Sequence, residues 1–369
     1  MPTEARLPRL TAAAALGAVF SFGFVHTQAW ALQFACIGLL AWLVRAASPR
    51  RAAQLGWAFG FAWLAAGTWW LFISMHRYGD LAAPLAALAV AALAAALALY
   101  LAAAMALFAR LRSGRLLPDA LLFAACWLLA ELARAVLFTG FPWVATGYGQ
   151  VDAPLAALAP WVGVYGIGAV VAWLAALLGL AGGLPRQLAA AAGVGVVLLG
   201  APFAGREFGS SAGRIGVTLL QTNVAQDDKF DPAKLPDALE RLATALEQAR
   251  GPLVVAPETA IPLLPEQLGD AAWQRLAGPF RGGPRALLVG LPLGSFEAGY
   301  TTSVAGLAAT APAPFSRYDK HHLVPFGEFI PPGFRWFTEM MNIPLGDFAR
   351  GAAVPPSFVV DGQRIAPNI

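Results

Sequence analysis

The sequence predicts a polytopic α-helical membrane bundle of about seven spans followed by an exported α/β domain. Three observations predict it. Of 369 residues, 58% are hydrophobic and only 12% charged, against roughly 25% charged in an average soluble domain. The first two hundred residues fall into apolar stretches near the roughly 20 residues that a bilayer-crossing helix needs. From about Arg214 short apolar runs alternate with amphipathic helical patterns, as in a sheet layered with helices. The domains read as 1–206, transmembrane, and 207–369, exported.

The predicted spans run approximately Pro8–Val25, Ala29–Val44, Leu55–Ile73, Leu81–Phe108, Pro118–Phe138, Leu155–Leu180 and Leu188–Pro202. The first resembles a signal peptide, with a small-x-small site at Ala29-Trp30-Ala31. A second apolar run follows directly, so an uncleaved helical hairpin is the preferred reading. Arg6 and Arg9, then Arg45, Arg50 and Arg51, then Arg110, Arg112 and Arg115, then Arg186 all fall on one side of this alternation. Cytoplasmic loops carry the excess of Lys and Arg. The N-terminus is therefore cytoplasmic, and an odd number of spans delivers everything after about Arg206 to the outer side.

Formal charge is +4, but the arginines sit between apolar runs rather than on one soluble face, which argues against nucleic acid as a partner. Cys36 and Cys126 both lie inside apolar runs and read as inert small hydrophobes. Glu131 and Arg134, three apart in the fifth span, share a helical face. Ionisable groups at membrane depth default to a functional hypothesis; the competing reading is an ion pair that fixes helix packing. Phe138-Thr139-Gly140-Phe141-Pro142-Trp143, with Trp69 and Trp70, reads as an outer interfacial segment, either a belt of anchors or a lipid entry site.

In the exported half, Ile215–Leu220, Pro252–Ala256, Ala286–Gly290, Thr301–Leu307 and Phe315–Tyr318 read as strands. Pro232–Arg250 reads as a helix with Leu235, Leu239, Leu242 and Leu246 on one side, and Ala271–Leu276 as another. Chemistry gathers at the carboxyl ends of strands in such sheets, and Glu258 and Lys320 occupy such ends. A carboxylate can act as general base and a lysine can hold an oxyanion. Glu328, eight residues on, can hold that lysine; spacing alone leaves a solvated surface pair equally open. His321 and His322 are neighbours on an extended strand, expected to point to opposite faces and so not to share a metal ion. No metal-ligand spacing and no Gly-rich phosphate loop appear, and neither a metal nor a cofactor is expected.

Val255-Ala256-Pro257-Glu258-Thr259-Ala260, Gly290-Leu291-Pro292 and Tyr318-Asp319-Lys320-His321-His322-Leu323-Val324-Pro325-Phe326-Gly327-Glu328 resemble the nitrilase (carbon–nitrogen hydrolase) superfamily. The preceding spans and Thr139-Gly140-Phe141-Pro142-Trp143 narrow the resemblance to the bacterial apolipoprotein N-acyltransferases, over essentially the whole chain. It implies a periplasmic nitrilase-like α-β-β-α sandwich on an inner-membrane bundle. It also implies a Glu-Lys-Cys triad, with Glu258 as base, Lys320 as oxyanion stabiliser and Glu328 as an additional essential carboxylate. The implied reaction is ping-pong. A phospholipid, typically phosphatidylethanolamine, acylates the cysteine, and the acyl group passes to the N-terminal amine of a diacylated apolipoprotein.

The cysteine is expected just after Ile369, so that the sandwich is incomplete and the 369-residue chain inactive. Ser303 has no motif support as a substitute. Phe230 stands where the family often has tryptophan. A membrane-anchored hydrolase and a non-catalytic lipid- or lipoprotein-binding derivative are the competing readings.

Overall fold

The computed structural model describes residues 7–205, 208–225, 228–295, 297–309, 311, 315–336, 348–360 and 362–369. Its contacts divide the chain into two compact units, Met1–Ser210 and Ser211–Ile369.

The first unit is helical: α1 (Leu7–Val25), α2 (Ala31–Val44), α3 (Pro49–Gly67), α4 (Trp70–Ile73), α5 (Ala83–Leu111), α6 (Leu116–Val136), α7 (Ala159–Leu180) and α8 (Leu184–Gly200). Six helical segments among the described residues are long and apolar enough to cross a membrane, or seven if one bent pair counts as a span. That pair is the predicted third span. Pro49–Gly67 and Trp70–Tyr78 meet at 50°, because Thr68 leaves helical geometry and turns its hydroxyl back to the Leu64 carbonyl at 2.7 Å. A side-chain hydroxyl competing for a helix carbonyl in this way bends helices. At the other end of α3, Ser48 caps the helix by accepting from the Arg51 N–H, with Pro49 in the first turn. The core of this unit is aromatic, with Trp63 and Trp127 stacked 5.8 Å apart and Phe20 edge-on to Trp63.

The second unit is built on a mixed sheet of β1 (Val217–Leu219), β2 (Leu253–Val255), β3 (Ala286–Ser295), β4 (Gly299–Leu307) and β5 (Ser316–Asp319), in that spatial order. β1, β2 and β3 are mutually parallel; β4 is antiparallel to both β3 and β5. Four of the five strands therefore run the same way, and β2 and β5 end at the same edge of the sheet. β3 outruns its predicted end at Gly290 because it pairs with β4 as far as Ser295. Pro292 is tolerated there because β2 has already ended, leaving β3 an edge strand on that side.

Alternation along the strands separates two apolar layers. Leu287, Val289, Leu291, Ala305 and Leu307 form one buried cluster with Leu242 and Leu246 of α9 (Leu235–Gln248) and Leu276 of α11 (Asp270–Ala277), which follows the single turn α10 (Pro265–Leu268). Each such leucine contributes about 1.5–3 kcal/mol when fully buried. A charge at Leu246, which is 1% exposed, would break the packing of α9. Ala286, Leu288, Val304 and Tyr318 lie in the other layer with Phe358 and Val360. The hairpin β6 (Phe358–Val360) and β7 (Gln363–Ile365), unforeseen in the sequence, supplies that layer.

Candidate active site

Lys320 follows β5 directly, and Glu258 lies three residues beyond β2. Strands stand about 4.8 Å apart, so the three steps from β2 to β5 separate their ends by roughly 14 Å. The segment after β2 closes this gap by crossing over β3 at Gly290. A Cβ on Gly290 would stand 2.5 Å from the Pro257 carbonyl oxygen and 2.6 Å from the Glu258 Cα. A tight turn follows, with Thr259 at φ 51° and the Ile261 N–H donating to the Gly290 carbonyl at 3.2 Å. Gly290 was visible in the sequence only as part of a motif; its role depends on a contact between strands.

The two carboxylates and the lysine meet. Lys320 Nζ donates to Glu258 Oε1 at 3.2 Å and to Glu328 Oε1 at 3.0 Å. The Lys320 side chain is 10% exposed, Glu328 12% and Glu258 43%. Glu328 is tied down on both oxygens: Oε1 also accepts from the Thr302 hydroxyl at 3.1 Å, and Oε2 accepts from the Val324 N–H at 2.8 Å. Among the described residues Glu258 makes one side-chain hydrogen bond, to Lys320, and faces solvent. The chemistry available to them differs accordingly. Glu328 is a fixed counter-ion, whereas Glu258 has an oxygen free to take a proton. An ammonium has three donors; among the described residues two are engaged, leaving one for an incoming oxygen.

Burial pulls the Lys320 ammonium towards its neutral form. The hydrogen bond to Glu328 and the charges of Glu258 and Glu328 outweigh it, and the net displacement is upward from 10.5. Lys320 is therefore held as a cation, suited to electrostatic stabilisation rather than to proton abstraction.

Backbone contacts lock this geometry. The Lys320 N–H donates to the Thr302 carbonyl at 2.9 Å. Residues 348–351 lie across the end of β5, with the Phe348 N–H on the Glu328 carbonyl, the Ala349 N–H on the Tyr300 carbonyl and the Gly351 N–H on the Lys320 carbonyl. A Cβ on Gly351 would stand 2.1 Å from the Asp319 carbonyl oxygen.

On the opposite face of β4 and β5, Asp319 accepts from Ser303 at 2.5 Å, Thr301 at 2.8 Å and Arg317 Nε at 2.7 Å. Ser303 is fully buried in this cluster, away from Lys320. Thr301 and Thr302 carry no sequence signal because hydroxyls in a strand make no motif, and Ser303 draws notice only as a substitute nucleophile; the register with β5 shows what all three contact.

The two histidines depart from the expected opposite faces. Their rings lie 5.0 Å apart, because the chain has already left β5 at Asp319 and strand alternation no longer applies. His321 Nδ1 lies 2.7 Å from the Gly351 carbonyl, so that nitrogen serves the 348–351 segment. Glu131 and Arg134 belong to the first unit, as do Cys36 and Cys126, which are buried in α2 and α6. Phe230 is 63% exposed, with Lys229 Nζ 6.0 Å from its ring.

The fold and this site define a multi-pass membrane protein carrying an α/β unit with a lysine clasped by two glutamates. Residues 16–177 match the model of the apolipoprotein N-acyltransferase N-terminal domain. The chain is 50% identical over 364 residues to the apolipoprotein N-acyltransferase of Verminephrobacter eiseniae, covering 92% of this chain and 67% of that protein. It is 43% identical to that of Ralstonia nicotianae, covering 97% and 69%, and 35% identical to that of Pseudomonas aeruginosa, covering 97% and 72%. The chain belongs to the apolipoprotein N-acyltransferase family.

Proposed function

We infer that this site performs the acyl transfer for which the chain's relatives are named, through a cysteine thioester. Glu258 takes the thiol proton as the thiolate attacks a phospholipid ester carbonyl, and the third N–H of Lys320 receives the developing oxyanion. The tetrahedral intermediate collapses, and the lysophospholipid alkoxide leaves with the proton from Glu258. The α-amine of a diacylated apolipoprotein then attacks the thioester and yields its proton to Glu258 as the thiolate departs. Phosphatidylethanolamine is the proposed donor. The observation that carries this reading is the inequality of the two carboxylates around Lys320: one held on both oxygens and one, half-exposed, held through a single oxygen among the described residues. The thiol is neither Cys36 nor Cys126, both of which are buried in apolar helices.

The arginine pattern supports a cytoplasmic N-terminus in the bacterial inner membrane and a periplasmic α/β unit. An export-dependent reporter fused after Gly213 tests this, and activity of a cytoplasm-dependent reporter at that point would reverse it.

For the chemistry, the test uses labelled phosphatidylethanolamine and a diacylated lipopeptide with two proteins: residues 1–369, and a polypeptide extended to the length of the relatives. The extended form is expected to gain label as a hydroxylamine-sensitive thioester and pass it to the lipopeptide. Glu258→Ala and Lys320→Ala each abolish the first step, and residues 1–369 form no thioester. Release of label to water alone favours a hydrolase. Normal thioester levels in either variant refute the role assignments.

A further inference from the structure

A helix that ends at a bilayer face is ordinarily followed by a relaxed polar turn, and α6 is not. Beyond Val136 the backbone holds Phe138 at φ 52°, Thr139 at φ 76° and Val144 at φ 52°, a left-handed region that non-glycine residues avoid, β-branched ones above all. Gly140, at φ 80°, admits no side chain, since a Cβ there would stand 2.0 Å from the Ala135 carbonyl oxygen. Such strain persists only where the surroundings over-determine it, and it concentrates at functional segments.

The surroundings here are the last turns of α6. Arg134 Nη1 donates to the carbonyls of Phe141 at 3.0 Å and Trp143 at 2.6 Å. The Phe141 N–H donates to the Arg134 carbonyl at 2.7 Å. Glu131 Oε1 accepts from the Thr146 N–H at 2.7 Å and from its hydroxyl at 2.8 Å, and Trp127 Nε1 donates to the same hydroxyl at 3.0 Å. Arg134 and Glu131 are 3% and 2% exposed, and their closest approach is 4.0 Å. The two buried charges thus direct their hydrogen bonds to the loop rather than to each other. That is a different arrangement from a simple ion pair.

What the loop holds outward is aromatic. Phe138 is 93% exposed and Trp143 55%, and the Trp143 ring meets Trp70 edge-on at 5.5 Å. The exposed apolar stripe of α6, through Leu129, Leu132, Val136 and Leu137, runs without interruption into Phe138. Residues Leu116–Thr139 are long and apolar enough to cross a membrane, so this stripe faces lipid. The stripe ends in aromatic side chains, which collect where acyl chains meet headgroups.

We propose that residues 137–144 form a rigid aromatic wedge that inserts Phe138 and Trp143 into the headgroup–acyl boundary of a phospholipid layer. Arg134 and Glu131 are the positioning residues that lock it. A pre-strained loop enters the lipid without the ordering cost of a flexible one. The proposal rests on the membrane helices and not on the acyl-transfer reading.

The test uses residues 1–369 in phosphatidylcholine vesicles with Phe138→Cys carrying a thiol-linked bimane. Cys36 and Cys126 are buried, so labelling is selective. Quenching by phospholipid brominated near the ester end of the chain is expected to exceed quenching by phospholipid brominated near the terminal methyl by about 3-fold, with little quenching by aqueous iodide. Strong iodide quenching without lipid quenching, or no quenching by any agent, overturns the wedge.

Arg134→Lys keeps the cation, but the shorter side chain places its nitrogen short of the position from which Nη1 meets both carbonyls. It is expected to reduce the depth preference by about half and admit iodide. Val144→Gly, which relieves the left-handed strain while keeping Arg134 and Glu131, is expected to raise the mobility of a spin label at position 138. An unchanged depth profile in the first variant, or, should that variant not fold, unchanged mobility in the second, overturns the lock.

Discussion

Glu328 Oε1 lies 3.0 Å from Lys320 Nζ and also accepts the hydroxyl of Thr302. Eight residues separate the lysine from the carboxylate. The turn from Val324 to Glu328 and the hydroxyl of Thr302 on the neighbouring strand together fix how they meet.

Glu328→Gln is therefore expected to separate stability from exposure. Replacing a nearly buried counter-ion with a neutral amide should destabilise the α/β unit by about 1–3 kcal/mol and lower the pKa of Lys320. Glu258→Gln, at a half-exposed position, should cost less than about 1 kcal/mol. Thermal unfolding of the two variants, with pH-dependent acylation of the Lys320 amine, checks both. Equal losses of stability would contradict the assignment of Glu328 as the fixed partner.

Thr302→Val keeps the shape of the side chain and removes one donor to Glu328. The expected cost is about 1 kcal/mol, and Thr302→Ser should restore most of it. Chemical denaturation compares them. A valine variant as stable as the parent would mean that the methyl group, not the hydroxyl, matters at this position.

Gly290→Ala and Gly351→Ala are each expected to destabilise the unit by ~1–3 kcal/mol, because the new Cβ meets backbone oxygen rather than a movable side chain. In Gly290→Ala the segment bearing Glu258 must lift off β3, lengthening its contact with Lys320. Loss of the Lys320–Glu258 contact in a structure of the variant, with the Lys320–Glu328 contact retained, is the specific outcome to look for.

Stability of the unit should fall at both extremes of pH. At Asp319 burial raises the pKa, but hydrogen bonds from Ser303, Arg317 and Thr301 outweigh it, and the folded value lies below 3.8. Its contribution is complete above 3.8 and is lost as pH falls through the lower folded value. Lys320 is raised above 10.5, so its contribution is complete below 10.5 and is lost as pH rises through the higher folded value. Asp319→Asn should flatten the acid limb, and Lys320→Met the alkaline limb, in unfolding midpoints measured across pH.

Hydropathy and period made much of this protein legible from its residues. Long apolar runs mark the membrane helices because a bilayer leaves no other partner for them. All five strands of the main sheet were foreseen, because short apolar runs bounded by turn residues mark strands buried on both faces. Lys320 and Glu328 were singled out by the density of polar groups in a chain poor in charge, and Glu258 by its place just past a strand end. Tertiary structure alone decided the rest. The bend after Gly67, the extension of β3 past Pro292 and the hairpin of β6 and β7 depend on partners distant in sequence. So do the crossing at Gly290, the hydroxyl of Thr302 and the grip of Arg134 on its loop. Sequence fixes which groups a segment carries. Which oxygen each nitrogen faces is set only when separate strands and helices come into register, since a hydrogen bond requires about 3 Å and no local pattern specifies that distance.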